Sequence, residues 1–331
     1  AETGTSPPRG RSAEMKEALI EAEPAPDAGI GDPRPRLTPH TELKRVAVLV
    51  NSLSGSVGPK AASKVEAILE EFGLEGSVVP LESGKFDDQI NQVLEDKPDV
   101  LFVLAGDGTA GTVAGRAGRD GPMIAPLPGG TMNMLPKALY GTADWKAALR
   151  TALSEGEPQW VSGGKVEGHA FYCAAILGAP ALWAPAREAL REGKLKRAWQ
   201  YGVRAFRRAF SGRLRCSLDN GPKRRAEALV LISPMISRAM EDPVGLEAAV
   251  MSQETATDGF RLGVTALFSD WRNDPAVKTQ PVRKAEAWGR STIPAVLDGE
   301  TVRLRDRATI EFTPRAFRAL VPRPPAAEST V

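Results

Sequence analysis

Two short stretches hold the residue types that binding and transfer of an anion would need. In the first, the apolar run Val100-Leu101-Phe102-Val103-Leu104 leads through Ala105 into Gly106-Asp107-Gly108-Thr109. An apolar run of this length, ended by glycines, reads as a buried strand closing in a tight loop, with a helix beginning near Thr109. Glycines let main-chain N–H groups approach a bound phosphate, and the helix N-terminus adds partial positive charge. Asp107 then stands where a phosphate, and any metal carried with it, would lie. A plain turn using Gly and Asp for their backbone preferences accounts equally well for this stretch alone. About twenty residues on, Ile124-Ala125-Pro126-Leu127-Pro128 runs into Gly129-Gly130-Thr131-Met132-Asn133 and repeats the pattern. Two such loops at the ends of neighbouring strands would face one crevice. Neither has the spacing of the GxxxxGK[ST] or GxGxxG phosphate loops.

Two further turns carry carboxylates. Ala295-Val296-Leu297-Asp298-Gly299-Glu300-Thr301-Val302 reads as a hairpin with Asp298-Gly299 at its two-residue turn. Thr257-Asp258-Gly259 reads as a second turn of that kind. Asn51-Ser52-Leu53-Ser54-Gly55, after the apolar run Val46–Val50, is a third turn-rich loop following a strand.

Together these residues resemble the diacylglycerol kinase catalytic domain family, which includes bacterial lipid kinases and the sphingosine and ceramide kinases. The family's Gly-Gly-Asp-Gly-Thr is matched by Ala105 to Thr109, with Ala at the first position. Its Gly-Thr-x-Asn-Asp is matched by Gly130 to Asn133, with Met134 in place of Asp. Its Asn-Pro-x-Ser-Gly is matched at Asn51, Ser54 and Gly55, with Ser52 replacing Pro. Phe171 to Gly178 follows Phe-x-Asn-x-x-x-x-Gly with Cys173 for Asn. Asp258 keeps one carboxylate of Asp-Asp-Gly-x-Leu-Asp, while Arg261 and Gly263 flank the place of the later one. Asp298 to Glu300 matches Asp-Gly-Glu. The resemblance runs from about Arg45 to Pro322.

The resemblance implies an α/β fold: an N-terminal Rossmann-like parallel-sheet domain, then a C-terminal antiparallel β-rich domain, with the active site in the cleft between them. It implies ATP-dependent transfer of the γ-phosphoryl group to the hydroxyl of a membrane lipid: diacylglycerol, ceramide or a sphingoid base. Asn51, Ser54, Gly55, Gly106, Gly108, Thr109, Gly111, Gly130, Thr131 and Asn133 are the implied nucleotide-binding residues. Asp107 would organise Mg2+ or the phosphoryl transfer itself, Asp258 would join it at the metal, and Glu300 would be the general base. Two rivals share parts of this pattern: an NAD-kinase-like enzyme, and a non-catalytic module that binds lipid or nucleotide.

The elements that must position these residues follow in order. Helical spacing marks Lys60 to Phe72, Phe86 to Leu94 and Trp145 to Leu153; Ser77 to Leu81 reads as a strand between the first two. Strand and helix alternate, as in a parallel sheet covered on both faces. After Pro158 the texture turns to strands: Gln159–Val166, Ala170–Ile176, Arg213–Leu218, Ala226–Ile232, Phe260–Leu267 and Thr301–Phe312, which suggests an antiparallel sheet or sandwich. The expected organisation is a disordered arm over 1–43, a nucleotide-binding α/β domain over 44–155, a β-rich lipid-binding domain over 156–325 and a flexible tail over 326–331. The arm is rich in Pro, and Met15 is a candidate start within it.

Between Lys194 and Arg215 there is no acidic residue, and Trp199, Phe206 and Phe210 fall at helical spacing among Arg204, Arg207 and Arg208. Such a stripe suits an anionic membrane surface, and it equally suits a helix packed by its aromatic face on the core. The 331 residues carry a net charge of +2, which gives no global field for nucleic acid. Cys173 and Cys216, the two cysteines, have no zinc or disulfide-framework spacing and suit a reducing cytoplasm. With only His40 and His169, a His-based triad is not expected. No apolar run nears the roughly 20 residues that span a bilayer. The expected location is the cytoplasm, at the inner face of the membrane; the composition leaves a homodimer open.

Overall fold

The computed structural model describes residues 37–178, 214–236, 244–251 and 279–322. The basic aromatic stripe (Trp199, Arg204, Phe206, Arg207, Arg208, Phe210), Asp258, the expected strand Phe260–Leu267, most of the N-terminal arm and the tail lie outside these residues.

The first half alternates as its apolar pattern requires: β1 (Val46–Val50), α1 (Ala61–Glu71), β2 (Gly76–Pro80), α2 (Phe86–Glu95), β3 (Val100–Ala105), α3 (Asp107–Ala117), β4 (Met123–Pro128), α4 (Met134–Tyr140) and α5 (Trp145–Glu155). The strands run parallel in the order β2-β1-β3-β4, with Val48 opposite Phe102 and Phe102 opposite Ala125. All residues of β1, β3 and β4 are buried, because helices cover both faces. Alternate side chains sort to the two sides. Val48, Val50, Phe102 and Leu104 pack with Val65 and Ile68 of α1 and Leu149 of α5. Leu49, Leu101 and Val103 pack with Ile90 of α2, Val113 of α3 and Leu135 of α4.

The second half is built of strands: β5 (Gly156–Val166), β6 (His169–Phe171), β7 (Ala174–Gly178), β8 (Leu214–Leu218), β9 (Arg224–Ala226), β10 (Ala228–Ile232), β11 (Leu246–Met251), β12 (Thr279–Val282), β13 (Lys284–Trp288), β14 (Ile293–Leu297), β15 (Glu300–Leu304) and β16 (Arg307–Pro322). A six-stranded antiparallel sheet has the order β12-β11-β10-β7-β14-β15. The other strands extend the parallel sheet. The long β16 runs beside β4 at Ala319, pairs with β5 along most of its length and leads through β13 and β8 to β9. The two halves therefore share one continuous sheet, while Phe171, Leu177, Leu229, Ala295 and Ile310 form a core between the two sheets.

Several local expectations change. Thr301–Phe312 is divided between β15 and β16 at Arg305 and Asp306, where the chain turns from one sheet to the other. The helix after β3 begins at Asp107, not near Thr109, because only Gly106 stays extended (φ −77°, ψ 167°) before the helical turn. Ala170–Ile176 is two strands rather than one, broken at Tyr172 and Cys173, whose amides leave the ladder for a side chain described below. Residues 37–43, expected in the disordered arm, are tied down: Leu37 N–H donates to Glu71 O, His40 N–H to Leu153 O and Thr41 Oγ1 to Gly156 O. No helix among the described residues is long and apolar enough to cross a membrane.

Candidate active site

The loops after β1, β3 and β4 meet at the C-terminal ends of adjacent parallel strands, where α/β sheets bind ligands. Their approach depends on missing side chains. A Cβ on Gly130 would stand 2.8 Å from Gly106 Cα, and one on Gly129 2.8 Å from Ala105 N. The loop after β1 joins them, with Ser56 N–H donating to Gly129 O at 3.2 Å. Thr131 Oγ1 lies 3.7 Å, and Ser54 Oγ 3.8 Å, from the places a Cβ would take on Gly55 and Gly106. Asn51 shapes its own loop, its Oδ1 accepting from Leu53 N–H at 3.1 Å.

Asn133 likewise works inside its loop. It is buried and left-handed (φ 52°, ψ 44°); its Oδ1 accepts Gly130 N–H at 2.7 Å and its Nδ2 donates to Gly130 O at 2.9 Å. Through these two bonds Asn133 holds the backbone of the glycine loop in shape.

The N-terminus of α3 faces this cradle. Its cap residue, Gly106, offers no side-chain acceptor, so the amides of Asp107, Gly108 and Thr109 have no partner within the helix. Gly111 has open space where a Cβ would project. Backbone donors, a helix dipole and glycine clearance fit the phosphates of a nucleotide.

Asp107 has a second task that the motif does not reveal. Its Oδ1 accepts Leu135 N–H at 3.3 Å, and the amides of Asn133 and Met134 also act on it. The carboxylate thus caps α4, whose own N-cap residue makes no side-chain cap. Burial pushes its pKa up, against the pull of those amides and of Lys137. No group of three or more His, Cys, Asp or Glu side chains that could hold a metal occurs among the described residues. A single carboxylate fits a Mg2+ carried in on phosphates, which keeps most of its ligands from water and substrate.

Glu300 arrives from the other half of the chain. β14 and β15 form the expected hairpin, with Leu297 paired to Glu300 across Asp298 (φ 47°) and Gly299 (φ 92°). The exposed Glu300 carboxylate overlies the first turn of α3, with Cδ 2.9 Å from where a Cβ would stand on Gly108. Any side chain at position 108 would displace it. The structure thus brings Glu300 to the helix turn that Asp107 opens, 192 positions after Gly108 in sequence.

Asp298 was missed as a site residue; the Asp-Gly turn explained it too readily. Its two oxygens accept the N–H groups of Tyr172 at 2.6 Å, Cys173 at 2.8 Å and Ala174 at 2.8 Å. Burial nonetheless pushes its pKa up to about 6 from 3.8, with Asp107 adding to the rise. A raised carboxylate pKa favours the folded state most when the group is neutral. This contribution is full below the ordinary value and lost as pH rises through about 6. The stability margin of the wild type over Asp298→Asn should therefore shrink from about pH 4 to 6 and level off above pH 7. Urea unfolding of both proteins across that range checks this; a margin that grows with pH would contradict it.

The diacylglycerol kinase catalytic domain family model matches residues 45–166. Two solved structures share the fold: a diacylglycerol kinase from Bacillus anthracis str. Sterne (18% identity, TM-score 0.64) and a candidate diacylglycerol kinase of the same organism (18%, 0.65). Each comparison covers 85% of this chain and 98% of the other. No curated protein matches the sequence. The match over residues 45–166 bears out the resemblance read from the motifs of β1, β3 and β4, and the two structures bear out the fold.

Proposed function

We propose that this protein is an ATP-dependent lipid kinase, a reading supported above all by the Glu300 carboxylate lying over the glycine-flanked N-terminus of α3. The nucleotide phosphates would rest on the amides of Asp107, Gly108 and Thr109, between the loops at Ser54–Gly55 and Gly130–Thr131. Mg2+ travelling with the nucleotide would neutralise phosphate charge, with Asp107 as its one protein carboxylate among the described residues. Glu300 accepts the proton of the lipid hydroxyl as that oxygen attacks the γ-phosphorus; the bond to the β-phosphate oxygen breaks, and ADP leaves. Chemistry of this kind needs positioning and charge neutralisation more than covalent help, so glycines and two carboxylates suffice.

The test is transfer of label from [γ-32P]ATP to a panel of diacylglycerol, ceramide and a sphingoid base, with NAD as a further acceptor. Labelled lipid is expected. Labelled NADP alone would move the protein to the NAD-kinase-like class, and no labelled product would leave a binding module.

A lipid acceptor requires contact with a membrane, and the basic aromatic stripe of Lys194 to Arg215, whose last two residues lie in β8, suits that role. Several Arg and Lys residues, each contributing on the order of 1 kcal/mol near an anionic leaflet, would hold the protein reversibly. The protein should sediment with anionic vesicles and be released by salt. Replacing Arg204, Arg207 and Arg208 with Glu should abolish sedimentation while activity on a short-chain soluble acceptor persists. Unchanged sedimentation would assign the stripe to the core.

A further inference from the structure

We infer that Asp298 is a positioning residue for phosphoryl transfer: its carboxylate, gripped by three consecutive amides, fixes the turn that holds Glu300 over α3. The inference rests on the kinase reading above and adds to it the residue on which the base depends.

A hairpin turn explains why Asp is tolerated at φ 47°, since Asp and Asn adopt left-handed angles more readily than most residues. It does not explain where the side chain goes. The carboxylate reaches across to the break between β6 and β7 and accepts Tyr172, Cys173 and Ala174 N–H, all within 2.8 Å. These residues are buried, with Cys173 fully so, and their amides stand where the chain passes from the continuous sheet to the six-stranded one. Three buried donors at a strand break need an acceptor, because a buried N–H left unmet forfeits its bond to water with nothing in exchange. The exchange is reciprocal, because Asp298 N–H donates to Ala174 O at 2.9 Å. The turn is therefore pinned through both its backbone and its side chain.

Glu300, by contrast, has no hydrogen bond holding its carboxylate among the described residues; its place follows from the turn two residues before it. Gly299 (φ 92°) lies between, with Met132 Sδ of the second glycine loop 3.8 Å from where a Cβ would stand. Asp298 thus links three parts: the β6–β7 crossing, the hairpin, and the carboxylate over Gly108. A shift of the turn by an ångström would carry Glu300 off the attacking hydroxyl, and a misplacement of that size can cost roughly 10²-fold.

The experiment is a double-mutant cycle between Asp298→Asn and Glu300→Gln, read as kcat and as KM for ATP. Asn keeps the size of the side chain but turns one acceptor into a donor facing an amide. In the wild-type background, Asp298→Asn should lower kcat by roughly 10–10²-fold and leave the ATP KM unchanged. In the Glu300→Gln background it should cost less than about threefold, because the residue it positions is already disabled. A full loss in both backgrounds would overturn the inference, since Asp298 would then act independently of Glu300. If Asp298→Asn does not fold, Gly299→Ala takes its place. It strains the same turn at a positive φ, meets Met132 Sδ only at ordinary contact distance and keeps the anchor, so the same pattern of loss and rescue is expected, and equal losses in both backgrounds again overturn the inference. If the wild type phosphorylates no lipid, the kinase reading fails by itself. Hydrogen exchange then decides about the anchor: faster exchange of the Tyr172–Ala174 amides and of the hairpin turn in Asp298→Asn supports it, and unchanged exchange refutes it.

Discussion

Asp107→Asn is expected to lower turnover by roughly 10²–10⁴-fold while the protein stays folded. The charge is what the reaction would lose. Asp107 begins α3, beside the amides offered to phosphate, where its carboxylate would meet a cation carried on the nucleotide. Asn keeps the shape and one carbonyl oxygen, so Leu135 N–H still finds an acceptor and α4 stays capped. Asp107→Ala differs in kind: it leaves the α4 amides without their carboxylate and should also cost stability, about 0.5–2 kcal/mol for a lost cap. Comparing turnover and thermal unfolding of the two variants separates the chemical role from the capping role. Near-normal turnover of a well-folded Asn variant would remove Asp107 from the chemistry and leave it a cap.

Glu300→Gln is expected to slow transfer from bound ATP by roughly 10²–10⁴-fold without weakening ATP binding. The sign of the binding effect follows from the geometry. The carboxylate overlies the first turn of α3, close to where the phosphates would lie, so its negative charge opposes the nucleotide. Neutralising it should leave affinity unchanged or slightly higher. Single-turnover transfer and equilibrium binding, measured on the same preparation, give the two numbers. A collapse of ATP affinity with fast transfer from the remaining bound ATP would make Glu300 a nucleotide ligand.

What could be read from the residues alone was what local pattern encodes. Three buried strands each running into a glycine or turn loop placed the cradle, and the Asp-Gly turn placed the hairpin. Three features escaped because their causes lie far off in the chain. The α4 helix is seven residues long with Pro136 in its first turn, and its N-terminus is capped by Asp107, 28 positions before Leu135. The break at Tyr172–Cys173 exists because Asp298, 126 and 125 positions away, takes their amides. The continuity of the large sheet comes from β16, whose last turn-free stretch reaches back beside β4. None of these is a periodicity, so none leaves a signal in a window of sequence. The loop-folding role of Asn133, which grips both the N–H and the carbonyl of Gly130, is likewise visible only in three dimensions.

The central claim is a placement: the γ-phosphate of ATP on the first turn of α3, between Asp107 and Glu300. A crystal structure of the protein with Mg2+ and a non-hydrolysable ATP analogue tests it most directly. The expected result is terminal phosphate oxygens within hydrogen-bond distance of the Gly108 and Thr109 amides, with the Glu300 carboxylate on the side open to an acceptor. A nucleotide bound with its phosphates away from α3, or with its ribose and base on that turn, would contradict the account.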